Sequence, residues 1–265
     1  MSLIDHITPL ILTYNEAPNL RRTLERLTWA GEIVILDSFS TDATLAIARE
    51  FPQVRVVQRK FDSFAGQCNF GLQQAQTDWV LSLDADYVLT PELVAEIKSL
   101  SPPTGVAGYA VGFRYCVNGH SLRACLYPPR TVLYQRRLAN YQNDGHGHRV
   151  QVAGKISRLA GYIDHDDRKP LAHWLWAQDR YAILEAAKLA EAMPGELGLP
   201  DRIRRKIVLA PSLVFFYTLL AQGMILDGWP GWYYVFQRTF AEILLSLRLI
   251  EMKLEKRKPE SRNQK

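Results

Sequence analysis

Val80-Leu81-Ser82-Leu83-Asp84-Ala85-Asp86 sets an apolar run against two carboxylates separated by one small residue. A strand cannot keep charge in its apolar middle, so two acids at its exit point to a cation shared with a ligand. The plainer alternative is a solvated turn, because loops are polar. The surrounding sequence decides between the two.

Upstream, residues 7–13 form a short apolar run, followed by Asn15, Glu16 and Pro18 and then by Leu20, Leu24 and Leu27 at helical spacing. The pattern repeats. Residues 32–36 read as a second strand, Ser40 or Thr41 as the cap of a helix running to Phe51, and residues 54–57 as a third strand. A helix over residues 64–75 then leads into the strand that ends at Asp84 and Asp86. Strands that are nearly all apolar and alternate with helices predict a parallel sheet covered on both faces. Ligands of such sheets bind at the carboxyl ends of the strands. Here those ends are Thr13-Tyr14-Asn15, Asp37-Ser38 and Asp84-Ala85-Asp86, three polar clusters on one edge. No Gly-x-Gly-x-x-Gly follows the first strand and no Walker lysine loop occurs, so phosphate binding has to rely on a metal and side chains.

Residues 109–152 read as short β runs punctuated by Gly112, Gly119, Pro128 and Pro129 and ending in Asp144-Gly-His-Gly-His-Arg149, an acceptor-side region grafted onto the sheet. A helix is expected from about Pro170 to Met193, with Trp174, Tyr181, Leu184 and Leu189 facing a core, until Pro194-Gly195 stops it. Residues 207–226 are almost wholly apolar and long enough to cross a bilayer. Residues 227–231 predict a turn, and residues 232–250 a second apolar segment interrupted by Gln237, Arg238 and Glu242, which are costly in hydrocarbon. A helical hairpin over 207–250 that lies on or dips into the inner leaflet is the expectation. A buried helical pair or a homodimer contact is the alternative.

Composition narrows the function classes. With 48% hydrophobic and 22% charged residues in 265, the chain has the makings of a folded protein rather than a disordered one. Its net charge of +5 is modest, and the basic residues gather at Arg202, Arg204, Arg205 and Lys206 and at Arg248, Lys253, Lys256, Arg257 and Lys258, on either side of the apolar segments. That placement fits an anionic membrane surface, and no aromatic-basic signature of nucleic-acid binding accompanies it. Cys68, Cys116 and Cys125 show neither disulfide nor zinc spacing. With no basic, apolar leader before residue 7, the expected location is cytoplasmic, peripheral or monotopic on the inner face of the membrane.

Thr13-Tyr14-Asn15-Glu16, Asp37-Ser38-Phe39-Ser40-Thr41-Asp42 and Asp84-Ala85-Asp86, in this order and at these intervals, resemble glycosyltransferase family 2 on the α/β, Rossmann-like GT-A fold. Gln67-Cys68-Asn69, residues 144–149, Ile163-Asp164-His165 and residues 174–181 extend the resemblance to its lipopolysaccharide core glucosyltransferase branch. The resemblance implies a GT-A catalytic domain over residues 1–168 and a C-terminal helical region over 169–265. It implies that Thr13, Asn15 and Glu16 border a nucleotide and that Asp37 accepts from the base of a uridine diphosphate sugar. Asp84 would contact the ribose or metal side, with Gln67 and Asn69 lining the donor site or satisfying nearby backbone. Asp86 and His165 would ligate Mg or Mn, and Asp144, with His148 beside it, would serve the acceptor hydroxyl. A single base opposite the leaving group implies inversion, hence a β-linked product from an α-linked donor. The implied acceptor is a membrane-associated glycan such as a lipopolysaccharide core or polysaccharide intermediate. A polyprenyl-phosphate acceptor and a non-catalytic nucleotide-sugar-binding scaffold are the alternatives. Three residues depart from the pattern: Phe39 stands where glycine is usual, Tyr87 where glutamate is frequent and Arg149 where glutamate is typical. The last leaves the base open between Asp144 and a neighbour.

Overall fold

A computed structural model describes residues 3–124, 128–144, 147–193, 195 and 197–255, and the chain divides into two compact units, Met1–Lys169 and Pro170–Lys265.

The first unit runs β1 (Ile7–Thr13), α1 (Leu20–Glu25), β2 (Ile33–Asp37), α2 (Thr44–Arg49), β3 (Val54–Gln58), α3 (Phe64–Gln74), β4 (Trp79–Asp84), β5 (Tyr87–Leu89) and α4 (Pro91–Ser99). There follow β6 (Val106–Val117), β7 (His120–Ser121), β8 (Arg130–Gln135), β9 (Ala139–Asp144), β10 (Gly147–Val152) and β11 (Lys155–His165). The main sheet has the order β3-β2-β1-β4-β8-β6-β11-β5, with β7 hydrogen-bonded to β6 outside this path. Strands β3, β2, β1 and β4 are parallel. Their side chains alternate between two cores. Ile7, Ile11, Ile33, Ile35, Leu81 and Leu83 pack with α1 and α4 on one face, whereas Leu10, Val34 and Val80 pack with Ala65, Cys68 and Leu72 of α3 on the other. Leu20, Leu24 and Leu27 are fully buried, as their spacing predicts.

Two local expectations are corrected. Helix α2 begins at Thr44, and neither Ser40 nor Thr41 caps it; the Thr44 amide donates to Asp42 Oδ1 at 2.9 Å, because Ser40 is engaged by Asp37 instead. The β runs after residue 105 are part of the sheet itself. The twelve-residue β6 is almost entirely buried and lies between antiparallel β8 and parallel β11, so the sheet is mixed beyond β4. Among the described strands only β9 and β10 stand apart, as a two-stranded hairpin. Asn69 on α3 fastens that hairpin, its amide donating to the Tyr141 carbonyl at 3.0 Å and its Oδ1 accepting from the Tyr141 N–H at 2.8 Å.

The second unit comprises α5 (Leu171–Glu191), α6 (Leu199–Arg204), α7 (Leu209–Phe216), a π turn (Tyr217–Ala221), a 3-10 turn (Met224–Asp227) and α8 (Gly228–Glu255). On α5 the buried positions are Ala182, Ala186 and Leu189; Leu184, expected in a core, is half exposed. The break between α7 and α8 falls earlier than the expected turn at 227–231. Gly223 takes the left-handed conformation at φ 70°, and a Cβ on Gly231 would sit 2.0 Å from the Met224 carbonyl oxygen, so a close turn-to-helix approach is open only to glycine there. Pro230 falls in the first turn of α8, where its missing N–H costs nothing. Among the described residues no single helix is long and apolar enough to cross a membrane, whereas the pair Leu209–Ala221 and Met224–Glu255, bent by 67°, meets the length and composition together.

Candidate active site

Parallel register carries the ends of three neighbouring strands to one edge. Thr13 pairs with Asp37 across β1 and β2, and Leu12 with Asp84 across β1 and β4. On the far side of the sheet β11 ends at His165, opposite Tyr87, and the chain between β4 and β5 holds Asp86 against it. Asp86 Oδ2 lies 3.1 Å from His165 Nε2. Both side chains are largely buried, and the His165 ring sits edge-on to Tyr87 and tilted against Tyr115. Burial alone would push the Asp86 carboxyl up, but the His165 imidazole and Lys169 outweigh it and hold it below its ordinary value. Burial alone would likewise depress His165, and the carboxylates of Asp86, Asp84 and Asp167 raise it instead.

These two groups could hold a divalent ion. Adjacent ligands of an octahedral Mg are about 2.9 Å apart, close to the observed separation. The described residues contain no group of three or more His, Cys, Asp or Glu arranged around one point, so an ion held by these two would need its remaining ligands from elsewhere. That is the donor set expected when substrate phosphates and water complete the sphere.

Asp84 and Asp37, both acids at strand ends, are used differently. Asp84 is half-buried and has no hydrogen-bond or ion-pair partner among the described residues. Asp37 is fully buried and accepts four hydrogen bonds, from Thr13 Oγ1 (2.9 Å), Ser40 N (2.9 Å), Ser40 Oγ (2.5 Å) and Gln58 Nε2 (3.1 Å). A nucleotide base reaching Asp37 would have to replace one of these donors. Asn15 belongs to the same clasp. It takes φ 54°, its N–H donates to Ser40 Oγ and its Oδ1 accepts from the Thr41 N–H, so the loops after β1 and β2 are stitched together. Beside them Tyr14 and Phe39 stay exposed, Phe39 at φ 63°, a conformation costly for a bulky side chain. Gln67 is buried and spans Ser38 Oγ, the Arg59 carbonyl and the Arg59 guanidinium, while both ends of Asn69 are taken by Tyr141 backbone. Both amides therefore support the edge from behind.

Sequence reasoning passed over the segment that fixes His165. Asp166, buried, accepts from Arg22 NH1 (2.9 Å), Arg168 Nε (2.9 Å) and the Gly119 N–H (3.2 Å), and Asn19 bridges Glu16 and Asp167. Lys169 Nζ meets Glu16 Oε1 at 2.5 Å, and both side chains are mostly buried. Burial pushes the Glu16 carboxyl up to about 7 even though Lys169 pulls it down, and the Asp86 charge adds to the rise. Glu16 and Lys169 thus stand in the electrostatic reach of Asp86. The charge run Asp166-Asp167-Arg168-Lys169 directly after His165, and Asn19 and Arg22 three apart at the start of α1, were the available signals.

Asp144 and His148 lie at the end of the β9–β10 hairpin where the chain passes from one strand to the other, with Asp144 paired to Gly147 and His148 to Asn143. Their side chains, and all of His146, lie outside the described part of the chain. The hairpin's anchor is described: Tyr141 OH donates to Ser82 Oγ at 2.9 Å and lies 2.6 Å from the hydroxyl of Tyr134, in a buried chain two residues short of Asp84.

Comparison with known proteins agrees with this geometry. The model of the family described as Glycosyl transferase family 2 matches residues 10–153. The chain is 30% identical over 243 residues to the lipopolysaccharide core biosynthesis glycosyltransferase LpsC of Rhizobium meliloti (strain 1021), covering 85% of this chain and 84% of LpsC. It is 29% identical over 147 residues to an uncharacterized glycosyltransferase of Rickettsia bellii (strain RML369-C), covering 53% of this chain. That match spans 50% of the Rickettsia protein's length. Among solved structures, S. aureus TarS 1-349 in complex with UDP-GlcNAc aligns over 94% of this chain and 91% of its own at 14% identity, with a TM-score of 0.44, too loose a likeness to bear on ligands or residue roles. The family match over more than half the chain and the near full-length similarity to LpsC agree with the ordered strand-end acids, and the chain belongs to glycosyltransferase family 2, on the lipopolysaccharide core branch that LpsC represents.

Proposed function

We propose that the chain transfers a hexose, with inversion, from a uridine diphosphate sugar to a hydroxyl of a membrane-associated glycan, a lipopolysaccharide core or polysaccharide intermediate. The observation that carries this reading is the convergence of Asp84, which has no hydrogen-bond or ion-pair partner among the described residues, with the Asp86–His165 pair at 3.1 Å on the edge where the parallel strands end. Acids placed there without protein donors serve a cation or a sugar hydroxyl; acids that serve the fold are saturated, as Asp37 is.

In this reading Asp86 and His165 hold Mg or Mn, which as a Lewis acid compensates charge on the departing diphosphate. Lys169 adds a fixed, mostly buried positive charge near the same point, and Glu16 sets how much of it is neutralised. The clasped loops after β1 and β2 shape the nucleotide pocket, with Tyr14 and Phe39 as the exposed aromatic surfaces available to a base. The acceptor hydroxyl attacks the anomeric carbon. A new carbon–oxygen bond forms there, the bond to the diphosphate breaks with its electron pair leaving on the diphosphate, and the hydroxyl proton passes to a carboxylate of the β9–β10 hairpin, Asp144 by its position. The location that goes with such an acceptor is the inner face of the cell membrane.

The test is a donor screen. Purified protein is titrated with uridine diphosphate and a panel of nucleotide sugars with and without Mn, and the product of the best donor is analysed by NMR. Metal-dependent binding and a β-linked product from an α-linked donor are expected. No nucleotide binding, or binding indifferent to Asp86→Ala, would defeat the reading.

A further inference from the structure

The second unit sorts its charges in a way the sequence conceals. Gln237, Arg238 and Glu242 seem to spoil the last apolar segment, but Glu242 is buried and the other two are half-buried. Gly231, Tyr234, Val235, Glu242, Leu245 and Leu249 form the buried face of α8, and Glu242 is held there by Arg204 at 2.7 Å. Arg248 is turned onto Asp179 of α5. From residue 232 to residue 250 the exposed positions are Tyr233, Phe236, Phe240, Ile243, Leu247 and Ile250, in alternating steps of three and four, all apolar or aromatic. Trp229, 85% exposed, opens the stripe. A second exposed stripe, Leu209, Leu213, Phe216 and Leu220, runs along α7 and the π turn. Immediately before α7 stand Arg202, Arg205 and Lys206, exposed and, among the described residues, without an ion-pair partner.

We infer that the outer faces of α7 and α8 form a docking surface for an anionic lipid bilayer, on which the helices lie in the interface with their paired charges turned away from the lipid. This rests on the proposed function only for the location of the acceptor. Three features favour lipid over a second copy of the chain. The two stripes together are broader than the seam of a helix pair. The first half of the α8 stripe is aromatic, which suits the boundary between headgroups and acyl chains and not a coiled-coil core of leucine and β-branched residues. The unpaired cations complement anionic headgroups and would repel their own copies in another chain. At 28 residues α8 is about 42 Å long, and it is not apolar enough to cross, so it lies along the surface.

The experiment is sedimentation of the full chain with vesicles of phosphatidylcholine alone or mixed with phosphatidylglycerol, read without any sugar donor so that its failure is separate from a failure of the transferase reading. The wild type is expected to partition onto the mixed vesicles. Replacing Phe236→Gln, Phe240→Gln and Leu247→Gln together should lower that partition at least about 100-fold with the circular dichroism spectrum unchanged, since all three side chains are exposed. Replacing Arg202→Gln, Arg205→Gln and Lys206→Gln together should cost on the order of 100-fold on mixed vesicles and leave the phosphatidylcholine result unchanged. A wild type that ignores both vesicles, or an apolar-face variant that binds as the wild type does, overturns the inference. A lipid-indifferent chain that sediments as a dimer, and as a monomer once Phe236, Phe240 and Leu247 are replaced, would assign the face to a second copy.

Discussion

Asp37 and Asp84 are both acids at the carboxyl end of a parallel strand, two strands apart, and their surroundings could hardly differ more. Four donors close on Asp37 with no exposed surface left, whereas Asp84 has no side-chain donor among the described residues. An acid at a strand exit is therefore an ambiguous sign. It marks a ligand site when the protein withholds its own donors, and a structural clasp when it supplies them. Asp86 stands between the two, with one buried partner, His165, at 3.1 Å.

The largest effect should fall on the acids without full sets of donors. Asp86→Ala is expected to lower kcat/KM for the sugar donor by at least about 10³-fold, the loss of electrostatic support for the departing diphosphate. Asp84→Asn should lower it by roughly 100-fold while moving the unfolding free energy by less than about 0.5 kcal/mol, because its side chain has no hydrogen bond to lose among the described residues. Urea unfolding followed by steady-state kinetics separates the two quantities. If Asp84→Asn destabilises the fold substantially, the contrast with Asp37 collapses.

For Asp37 the order is reversed. Asp37→Asn confronts Ser40 N–H, Ser40 Oγ, Thr13 Oγ1 or Gln58 Nε2 with a donor amide, and a buried donor left unsatisfied costs about 1–3 kcal/mol. A stability loss of about 2–3 kcal/mol is expected, larger than any for Asp84, with nucleotide affinity falling as the stitched loops loosen. Unchanged stability with abolished uridine diphosphate binding would convert Asp37 from a clasp to a direct base contact.

Most of the first unit was legible in its sequence because its cues are local and periodic. Leu20, Leu24 and Leu27 mark a helix face, and the unbroken burial of Ile33–Asp37 is what an apolar run in a parallel sheet covered on both faces predicts. The insertion of β6 between β8 and β11 was not legible, since long-range pairing leaves no local period. At the site, Asp84 and Asp86 could be read because acids interrupt an apolar run. The different fates of Asp37, Gln67 and Asn69 could not, because they depend on hydrogen-bond partners 3 to 72 residues away. The same holds for α8, where Glu242 looks like an interruption in one dimension and occupies the inner face in three.

Glu16 sharpens the comparison most finely, as a carboxylate with donors that is nonetheless held away from its ordinary ionisation. Burial raises it to about 7 in the folded chain against 4.5 in the unfolded one, with Lys169 opposing. The folded state then binds this proton more tightly, so the stability it confers is complete below about 4.5, declines as pH rises and is lost once pH passes about 7. Lys169, also raised, keeps its contribution up to its unfolded value of 10.5 and adds no slope in this window. Glu16→Gln removes the titration while keeping an acceptor for Lys169 and Asn19. Between about pH 4.5 and pH 7.5 the wild type should therefore lose on the order of 1–2 kcal/mol relative to Glu16→Gln, a divergence readable in paired thermal melts with chelator present. Parallel melts across that range would mean that Glu16 is ionised throughout by its contact with Lys169, and would place it with Asp37 among the acids spent on the fold.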